Sequence, residues 1–293
     1  MAATGGERVE TDDRGRAVRL GEVRRVVSLV PSLTEAIAQT RPGLLTGVTN
    51  WCSHPADLAA TRVGGTKNPD VARILGLAPD LVVANEEENR AADLDALRAA
   101  GIAVWVTEIR DLDQAFASLD RMLTRACALP RPRWLDQAEA AWAALPGAGV
   151  DPDRDAHPDP DPDPEVARAP RRPVTAIVPI WRRPWMVLGR DTFAGDLLRR
   201  LGVRQLFADH AERYPTIALP DLRAAAPELV ILPDEPYRFT ADDGPEAFPG
   251  LRCALVSGRH LTWYGPSLAD APRLLGRQLG DRRYRGTSTP GSI

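Results

Sequence analysis

The stretch "APDLVVANEEE", residues 78–88, has a close copy later in the chain, "APELVILPDEP", residues 226–236. A second pair, "SLVPSLTE" (28–35) and "AIVPIWRR" (176–183), recurs at the same offset of 148 residues. In each copy a short apolar run ends in a loop, which is typical of strands covered on both faces of a sheet. The doubled unit is too long for a solenoid repeat and indicates two lobes of like topology. Convergent strand chemistry stays open as the alternative.

The composition indicates a globular chain of two ordinary domains. The chain has 293 residues, of which 26% are charged and 44% hydrophobic. The net charge of −3 offers no electrostatic footprint for nucleic acid. No apolar run approaches the length of a membrane span. We therefore expect neither a nucleic-acid partner nor membrane insertion.

The N-terminal residues and the cysteines favour a reduced, cytoplasmic protein. Residues 1–25 are polar and show neither the apolar core nor the cleavage pattern of a signal peptide. Cys52, Cys127 and Cys253 are odd in number and far apart, so they form neither a disulfide framework nor a zinc pattern. We expect a cytoplasmic location and no directly bound metal ion.

Alternating strand and helix patterns predict the α/β class, with two similar lobes, parallel-rich central sheets and a long connecting helix. Alternating Asp and Pro over residues 151–170 favour an extended spacer, because almost nothing there is apolar. The predicted segments are a disordered N-terminus over 1–21, an α/β lobe over 22–112, connecting helices over 113–146, an Asp/Pro-rich linker over 147–172, a second α/β lobe over 173–282 and a loose tail over 283–293.

Scarce aromatic residues are concentrated in the loops that follow predicted strands. Aromatics are only 5% of the chain, and ligands bind at the carboxyl ends of the strands in doubly wound sheets. We therefore expect an aromatic-lined cleft shared by the two lobes, with no catalytic residue. The predicted ligand-binding residues are Pro31, Ser32, Trp51, Glu87, Glu88, Trp181, Trp185, Tyr214, Glu235, Tyr237, Trp263 and Tyr264.

Two other groups of residues carry open alternatives. Cys52 and His54 are both metal-ligand types, but they also suit a packed thiol and a polar loop histidine. Glu86–Glu88 could bind a cation, act as an acid/base pair or cap the next helix. The nucleophile elbow, the Walker loop and the dinucleotide-binding glycine motif are all missing from the sequence.

Three segments of the first lobe, "RVVSLVPSLTEAIAQT", "VGGTKNPDVARILGLAPDLVVA" and "LRAAGIAVWVT", resemble the cobalamin and iron-siderophore substrate-binding proteins of ABC transporters. In the second lobe, "YPTIALPDLRAAAPELVILPDEPYRF" and "LTWYGP" are most similar to the branch called helical-backbone metal receptors. The resemblance implies a class III periplasmic-binding-protein-like fold with modest hinge motion. It also implies a corrinoid or other metal chelate, such as cobalamin or an iron chelate, held in the cleft without a covalent cofactor and without catalysis.

The sequence departs from this family at the positions used for docking on a transporter. Relatives that dock carry a surface Glu in each lobe, where this chain has Ala72 and Pro220. Asp70 and Asp221 are near those positions but offset. Docking on an ABC permease is therefore not predicted.

Two other functions remain as alternatives. One is the substrate-binding subunit of an importer whose start is misannotated, in which case the protein is extracytoplasmic. The other is an enzyme that modifies a corrinoid or chelate, with Glu86–Glu88 or His54 as acid/base.

Overall fold

The computed structural model describes residues 7–145 and 172–280, and this part of the chain divides into two compact units. Unit 1 comprises the described residues up to Ala138 together with Trp263–Leu268, and unit 2 comprises the remainder. The α/β class predicted from the sequence is confirmed. The helices predicted as a connector are divided, because residues 113–138 cluster with unit 1.

Unit 1 is built on a five-stranded parallel sheet in the order β5-β4-β3-β6-β7, next to an antiparallel hairpin of β1 and β2. Its elements in chain order are β1 (Arg8–Thr11), β2 (Ala17–Leu20), β3 (Val26–Ser28), α1 (Pro31–Thr40), β4 (Leu45–Val48), β5 (Thr61–Arg62), α2 (Val71–Gly76), β6 (Leu81–Asn85), α3 (Ala91–Ala99), β7 (Val104–Thr107), α4 (Leu112–Arg121), a π-helical turn (Met122–Ala126) and α5 (Arg133–Ala143), within which unit 2 begins.

The strands of unit 1 form because their aliphatic residues are buried against α2 and α3. Both faces of the central strands are covered, so β6 is buried at every position, as expected for a parallel sheet between helices. The core residues are Val27, Leu29, Val63, Ile74, Val82, Ala84, Leu94, Leu97, Val104 and Val106.

The N-terminal hairpin corrects the prediction of disorder over residues 1–21, which is wrong for Arg8–Leu20. Val18 and Leu20 are buried, whereas their neighbours along β2 are exposed. The carboxylate of Asp12 accepts backbone N–H groups from its own turn and from Val106 of β7. The polar composition concealed a two-residue alternation that buries one face of the hairpin. Residues 1–6 lie outside the described residues.

Unit 2 repeats the parallel sheet, in the order β11-β8-β12-β13, and adds a short antiparallel ribbon of β9 and β10. Its further elements in chain order are β8 (Val174–Ile177), β9 (Pro179–Trp181), β10 (Met186–Val187), α6 (Phe193–Arg200), β11 (Val203–Gln205), α7 (Leu219–Ala224), β12 (Leu229–Pro233), β13 (Cys253–Val256), α8 (Gly258–Thr262) and α9 (Ala271–Gln278).

The repeated phrase encodes the same strand in both sheets. In chain order the four common strands have the order 2-1-3-4 in each unit, and β6 and β12 are the third strands. Leu81 is opposite Val26 in unit 1, whereas Leu229 is opposite Ala176 in unit 2. Relative to the 148-residue offset, this is a register difference of two residues, which leaves every side chain on its own face of the sheet.

The two copies diverge after the first strand. Pro31 begins α1, where its fixed φ suits the first helical position, whereas Pro179 begins β9. The predicted Asp/Pro-rich linker, apart from Arg172, and the predicted tail over 283–293 lie outside the described residues. Among the described helices, none combines the length and the apolar character needed to cross a bilayer.

Candidate functional site

In unit 1, the loop after β4 presents an exposed tryptophan on a turn whose backbone is held by hydrogen bonds. Trp51 is 67% exposed. The turn closes through the N–H of Cys52, which donates to the carbonyl of Thr49 at 3.2 Å. Nη1 of Arg62 donates to the carbonyl oxygens of the same two residues, at 2.9 Å and 2.8 Å. The indole of Trp51 is thus exposed, although the backbone of its turn is held at Thr49 and at Cys52.

Cys52 and His54, two residues apart, have different surroundings. The buried Sγ of Cys52 lies 3.1 Å from the hydroxyl of Thr34 and 3.2 Å from that of Thr49, which fits a packed thiol. The His54 ring meets Trp263 edge-on, with centroids 5.6 Å apart. Within the described residues, no three side chains of His, Cys, Asp or Glu are grouped so that they could hold a metal ion.

The acidic loop after β6 begins in an ion-pair cluster. Glu86 pairs with Arg14 of the hairpin turn and, at 3.1 Å, with Arg110. Glu108 contacts the same two arginines, at 2.8 Å and 2.6 Å. Burial raises the pKa of Glu108, but the hydrogen bond from Arg110 and the charge of Arg14 outweigh it and hold the pKa below its usual range. The cluster attaches the hairpin to the carboxyl ends of β6 and β7.

The remainder of this loop is organised by buried amides. Oδ1 of Asn89 accepts the N–H of Asn85 at 2.9 Å, and Oδ1 of Asn85 accepts the N–H of Glu87 at 2.9 Å. Burial raises the pKa of Glu88, while the positive charge of Lys67, the only lysine of the chain, opposes the rise. The loop does not cap α3, whose N-cap is Arg90 without a side-chain cap bond.

The remaining predicted residues of unit 1 are packed rather than presented to solvent. Ser32 is buried near the start of α1, and its carbonyl oxygen faces Gly265, where an added Cβ would lie 3.1 Å away. Trp263 and Tyr264 are 8% and 7% exposed. Pro31 is half-buried. The part of these residues that a ligand could touch is therefore small.

In unit 2, the exposed aromatic is Trp181 at the end of β9. It is 43% exposed and meets Tyr237 edge-on, with centroids 5.7 Å apart. Trp185 lies four residues further along but packs between Phe239, in a stacked pair, and Phe248. Trp185 is thus a half-buried part of the hydrophobic packing of the unit, and Trp181 is the more exposed indole.

The two other predicted residues of unit 2 lie in separate loops. Tyr214 is half-buried, with the guanidinium of Arg213 5.7 Å from its ring centroid. Glu235 lies against the first residue of α8, since an added Cβ on Gly258 would lie 2.5 Å from its backbone nitrogen. Asp234 accepts the N–H of Gly258 at 2.5 Å. Only glycine permits this approach between the β12 loop and α8.

Sequence reasoning missed the charged residues that organise these loops, namely Arg14, Arg62, Arg110, Arg182 and Asp243. Arginine is frequent in this chain, so an arginine in a loop is weak evidence of a role by itself. Position would have been a better signal for Arg182, because it directly follows an aromatic strand-end residue.

Comparisons with known proteins find likenesses to proteins named for binding vitamin B12 and heme. The vitamin B12-binding protein of Pectobacterium atrosepticum is 24% identical over 211 residues, 71% of each chain. Among solved structures, the periplasmic heme-binding protein RhuT from Roseiflexus sp. RS-1 is 23% identical, with a TM-score of 0.70 over 88% of this chain and 98% of that one. The periplasmic vitamin B12-binding protein BtuF of Vibrio cholerae is 17% identical, with a TM-score of 0.63 over 88% and 97%. No family model matches.

These likenesses confirm the resemblance found in the sequence, and the chain has the fold of the solved periplasmic heme- and vitamin B12-binding proteins. The relatives are named as binding proteins and not as enzymes. The prediction of a cytoplasmic protein is contradicted, because the Roseiflexus and Vibrio proteins are periplasmic, and an extracytoplasmic location is favoured. The polarity of residues 8–20 reflects a hairpin of the folded unit and gives no information on the compartment.

Proposed function

We propose that this protein binds a corrinoid or a related metal chelate non-covalently and without catalysis. One observation carries the proposal: each unit presents one exposed tryptophan, Trp51 in the loop after β4 of unit 1 and Trp181 at the end of β9 of unit 2. The other five of the seven tryptophans are buried or half-buried. An exposed indole forgoes the stabilisation that burial of its apolar surface would contribute. Two exposed indoles near the carboxyl ends of the strands therefore support contact with a ligand.

The chemistry of the two loops suits a flat chelate. An indole offers a large, rigid apolar surface with few rotatable bonds, so it loses little entropy when a macrocycle stacks on it. The kinship with proteins named for vitamin B12 and heme supports this ligand class. The other predicted ligand residues remain proposals, and we rank the packed Trp185, Trp263 and Tyr264 below the two exposed indoles.

The alternative of a chelate-modifying enzyme has less support. Glu86 is engaged by two arginines, and a general base needs a carboxylate that can reach substrate. Nδ1 of His54 lies 3.0 Å from the hydroxyl of Ser53. A serine beside a histidine is only part of the serine–histidine–carboxylate arrangement used in nucleophilic catalysis, so this contact by itself does not favour an enzyme.

Delivery to an ABC importer is the second candidate role, favoured by the kinship with the vitamin B12-binding proteins. Asp70 is the N-cap of α2 and accepts the N–H of Arg73 at 2.9 Å, so its carboxylate serves its own helix. Asp221, in the first turn of α7, is exposed. We propose that any docking on an importer uses the starts of α2 and α7. The acidic residues there, Asp70 and Asp221, are offset from the surface Glu positions of the family that the sequence resembles.

The test is a titration with cyanocobalamin, hemin and a ferric siderophore, followed by tryptophan quenching and calorimetry. Trp51→Ala and Trp181→Ala should each weaken binding of the preferred chelate by about 1–3 kcal/mol, roughly ten- to a hundredfold. Leu75→Ala, which trims an exposed apolar residue of α2, serves as the matched control and should bind like wild type. Failure of all three chelates to bind, or conversion of a chelate to product, contradicts the proposal.

A further inference from the structure

The exposed Trp181 belongs to a closed circuit of contacts within unit 2. Its ring meets the Tyr237 ring edge-on, at 5.7 Å and an interplanar angle of 79°. The hydroxyl of Tyr237 donates to Oδ2 of Asp243 at 2.6 Å, and Oδ1 of Asp243 pairs with Arg182, the next residue in the chain after Trp181. The contacts therefore form a closed chain that begins at the Trp181 ring and ends at Arg182, which is joined to Trp181 through the backbone.

Tyr237 is fixed at three points, so it can act as a rigid support. Its ring packs 4.7 Å from that of the buried Phe239. Its backbone N–H donates to the carbonyl of Ile180 at 3.3 Å, which joins the loop after β12 to β9. Its hydroxyl is held by Asp243. A ring fixed in this way limits the rotamers of the indole that leans on it.

Arg182 is fixed as firmly as Tyr237. Its guanidinium pairs with Asp243 and, at 2.6 Å, with Glu246, and it lies 5.4 Å from the ring centroid of Trp185. Its side chain is only 17% exposed. Burial raises the pKa of Glu246, but hydrogen bonds from the Gly244 backbone and from Arg182 outweigh it and leave the pKa below its usual range. Glu246 thus stays charged at neutral pH and can pair with the arginine.

We propose that Tyr237, Asp243 and Arg182 are positioning residues that hold the Trp181 ring in one orientation as a preorganised platform for the ligand. The inference rests on the proposed function, because it assigns the circuit to the residue that would stack on the chelate. A free indole would lose rotamer entropy on binding, and a ring already held in place avoids that cost. Ligand contact is made by Trp181, and the other three residues act through it.

The first test needs no ligand. In a Trp51→Phe background, Trp181 is the exposed tryptophan that remains among the seven. Its time-resolved anisotropy is assigned by subtracting a variant that also carries Trp181→Phe. Tyr237→Phe keeps the ring but removes the hydroxyl bond, and Asp243→Asn removes the charge that faces Arg182. Each should add a fast depolarising component, and an unchanged decay in both variants overturns the proposal.

The matched control removes a carboxylate that pairs with arginines elsewhere on the same unit. Asp196 of α6, whose side chain is 11% exposed, pairs with Arg199 and Arg200, so Asp196→Asn breaks carboxylate–arginine pairs within that helix. It should leave the anisotropy of Trp181 and the chelate affinity as in the parent. The melting temperature of every variant is compared with the parent, and Tyr237→Phe retains the packing if Asp243→Asn proves unstable.

The second test is a double-mutant cycle on chelate affinity. Asp243→Asn should weaken binding roughly three- to tenfold when Trp181 is present, the range set by immobilising one side chain. In a Trp181→Ala background the same change should alter affinity less than about twofold. An equal effect in both backgrounds means direct contact with the ligand and overturns the positioning role. If no chelate binds at all, the proposed function fails, and the anisotropy decay alone decides on the circuit.

Discussion

Ala78 and Ala226 adopt the same left-handed backbone conformation, with φ of 44° and 47°, at equivalent positions of the two units. Each follows a short helix, α2 or α7, and each precedes a proline and an acidic residue that lead into the third strand. Such a conformation at a helix end is usually taken by glycine. The repeated phrase therefore encodes a helix-to-strand turn as well as a strand.

The first prediction concerns this strain. Ala78→Gly and Ala226→Gly should each stabilise the protein by up to about 1 kcal/mol, because relief of roughly 1–2 kcal/mol of left-handed strain exceeds the added entropy of the unfolded glycine. Ala72→Gly within α2 is the matched control and should destabilise by about 1 kcal/mol. Urea unfolding followed by circular dichroism measures the changes. If all three variants lose stability equally, the two turns are not strained.

The acidic residue of the phrase performs the same task in both units. Oδ2 of Asp80 accepts the backbone N–H groups of Arg24 and Arg25, both at 2.8 Å. Oε2 of Glu228 accepts the N–H and the hydroxyl of Thr175, at 2.8 Å and 2.9 Å. Each carboxylate thus ties the third strand to the start of the first strand. This explains why an acid recurs there.

The second prediction follows from the pKa of Glu228, which hydrogen bonds from the backbone and side chain of Thr175 hold below its usual range. A carboxyl group with a lower pKa in the folded state adds stability above its unfolded pKa, and this is lost as the pH falls through the folded value. Glu228→Gln should therefore lower the melting temperature at pH 7, with the difference shrinking below about pH 4. A loss that is independent of pH contradicts the charged hydrogen bonds as its source.

The sequence predicted the strands well because their signal is local. Short apolar runs next to Pro, Gly and Asp identified β6 and β12, and the offset between them revealed the doubled topology. The organisation of the loops was not predictable in this way, since it depends on partners far apart in the chain. Arg182 meets Asp243 across 61 residues, and Arg14 meets Glu86 across 72. No spacing rule for a single helix or strand reports such pairs.

The aromatic loops show the same division between local and long-range information. The composition placed Trp181 and Trp185 equally in a strand-end loop, but β9 and β10 pair so that Trp181 stays exposed. Trp185 instead packs on Phe248, 63 residues later. Sequence patterns indicate which segments reach the carboxyl ends of the strands, whereas the packing of the unit decides which ring is exposed.

The third prediction concerns Glu88, whose pKa is raised by burial against the charge of Lys67. An acid with a higher pKa in the folded state opposes folding when it is ionised, so its penalty is complete above the folded pKa and vanishes below the unfolded one. Glu88→Gln should raise the melting temperature at pH 7 to 8 and leave it nearly unchanged near pH 4. Asp57→Asn, which changes an exposed carboxylate, is the control and should show no such trend. Destabilisation by Glu88→Gln at pH 8 would show that the charge supports the fold.

The fourth prediction concerns the three thiols, which differ in burial. Burial raises the pKa of Cys127 to about 12, and burial followed by the negative charge of Glu246 raises that of the half-buried Cys253. Since the thiolate is the reactive species, Cys253 should react with a disulfide reagent at pH 8 more slowly than a free thiol, and its rate should still rise above pH 9. The buried Cys127 should react only after unfolding, as should Cys52, which is enclosed by two threonine hydroxyls.

Thiol counting in native and denaturing buffer, with Cys253→Ala to assign the first thiol, separates these classes. The native protein should show one slow thiol, the variant none, and denaturant should release three and two, respectively.

Rapid reaction of Cys52 in the native protein would show that the turn carrying Trp51 opens freely. In that case the bonds from Arg62 to the carbonyls of Thr49 and Cys52 do not hold the exposed indole in place, and Arg62→Met should leave ligand affinity unchanged. With the turn closed, Arg62→Met should instead weaken binding by roughly three- to tenfold, since the indole must then be ordered by the ligand.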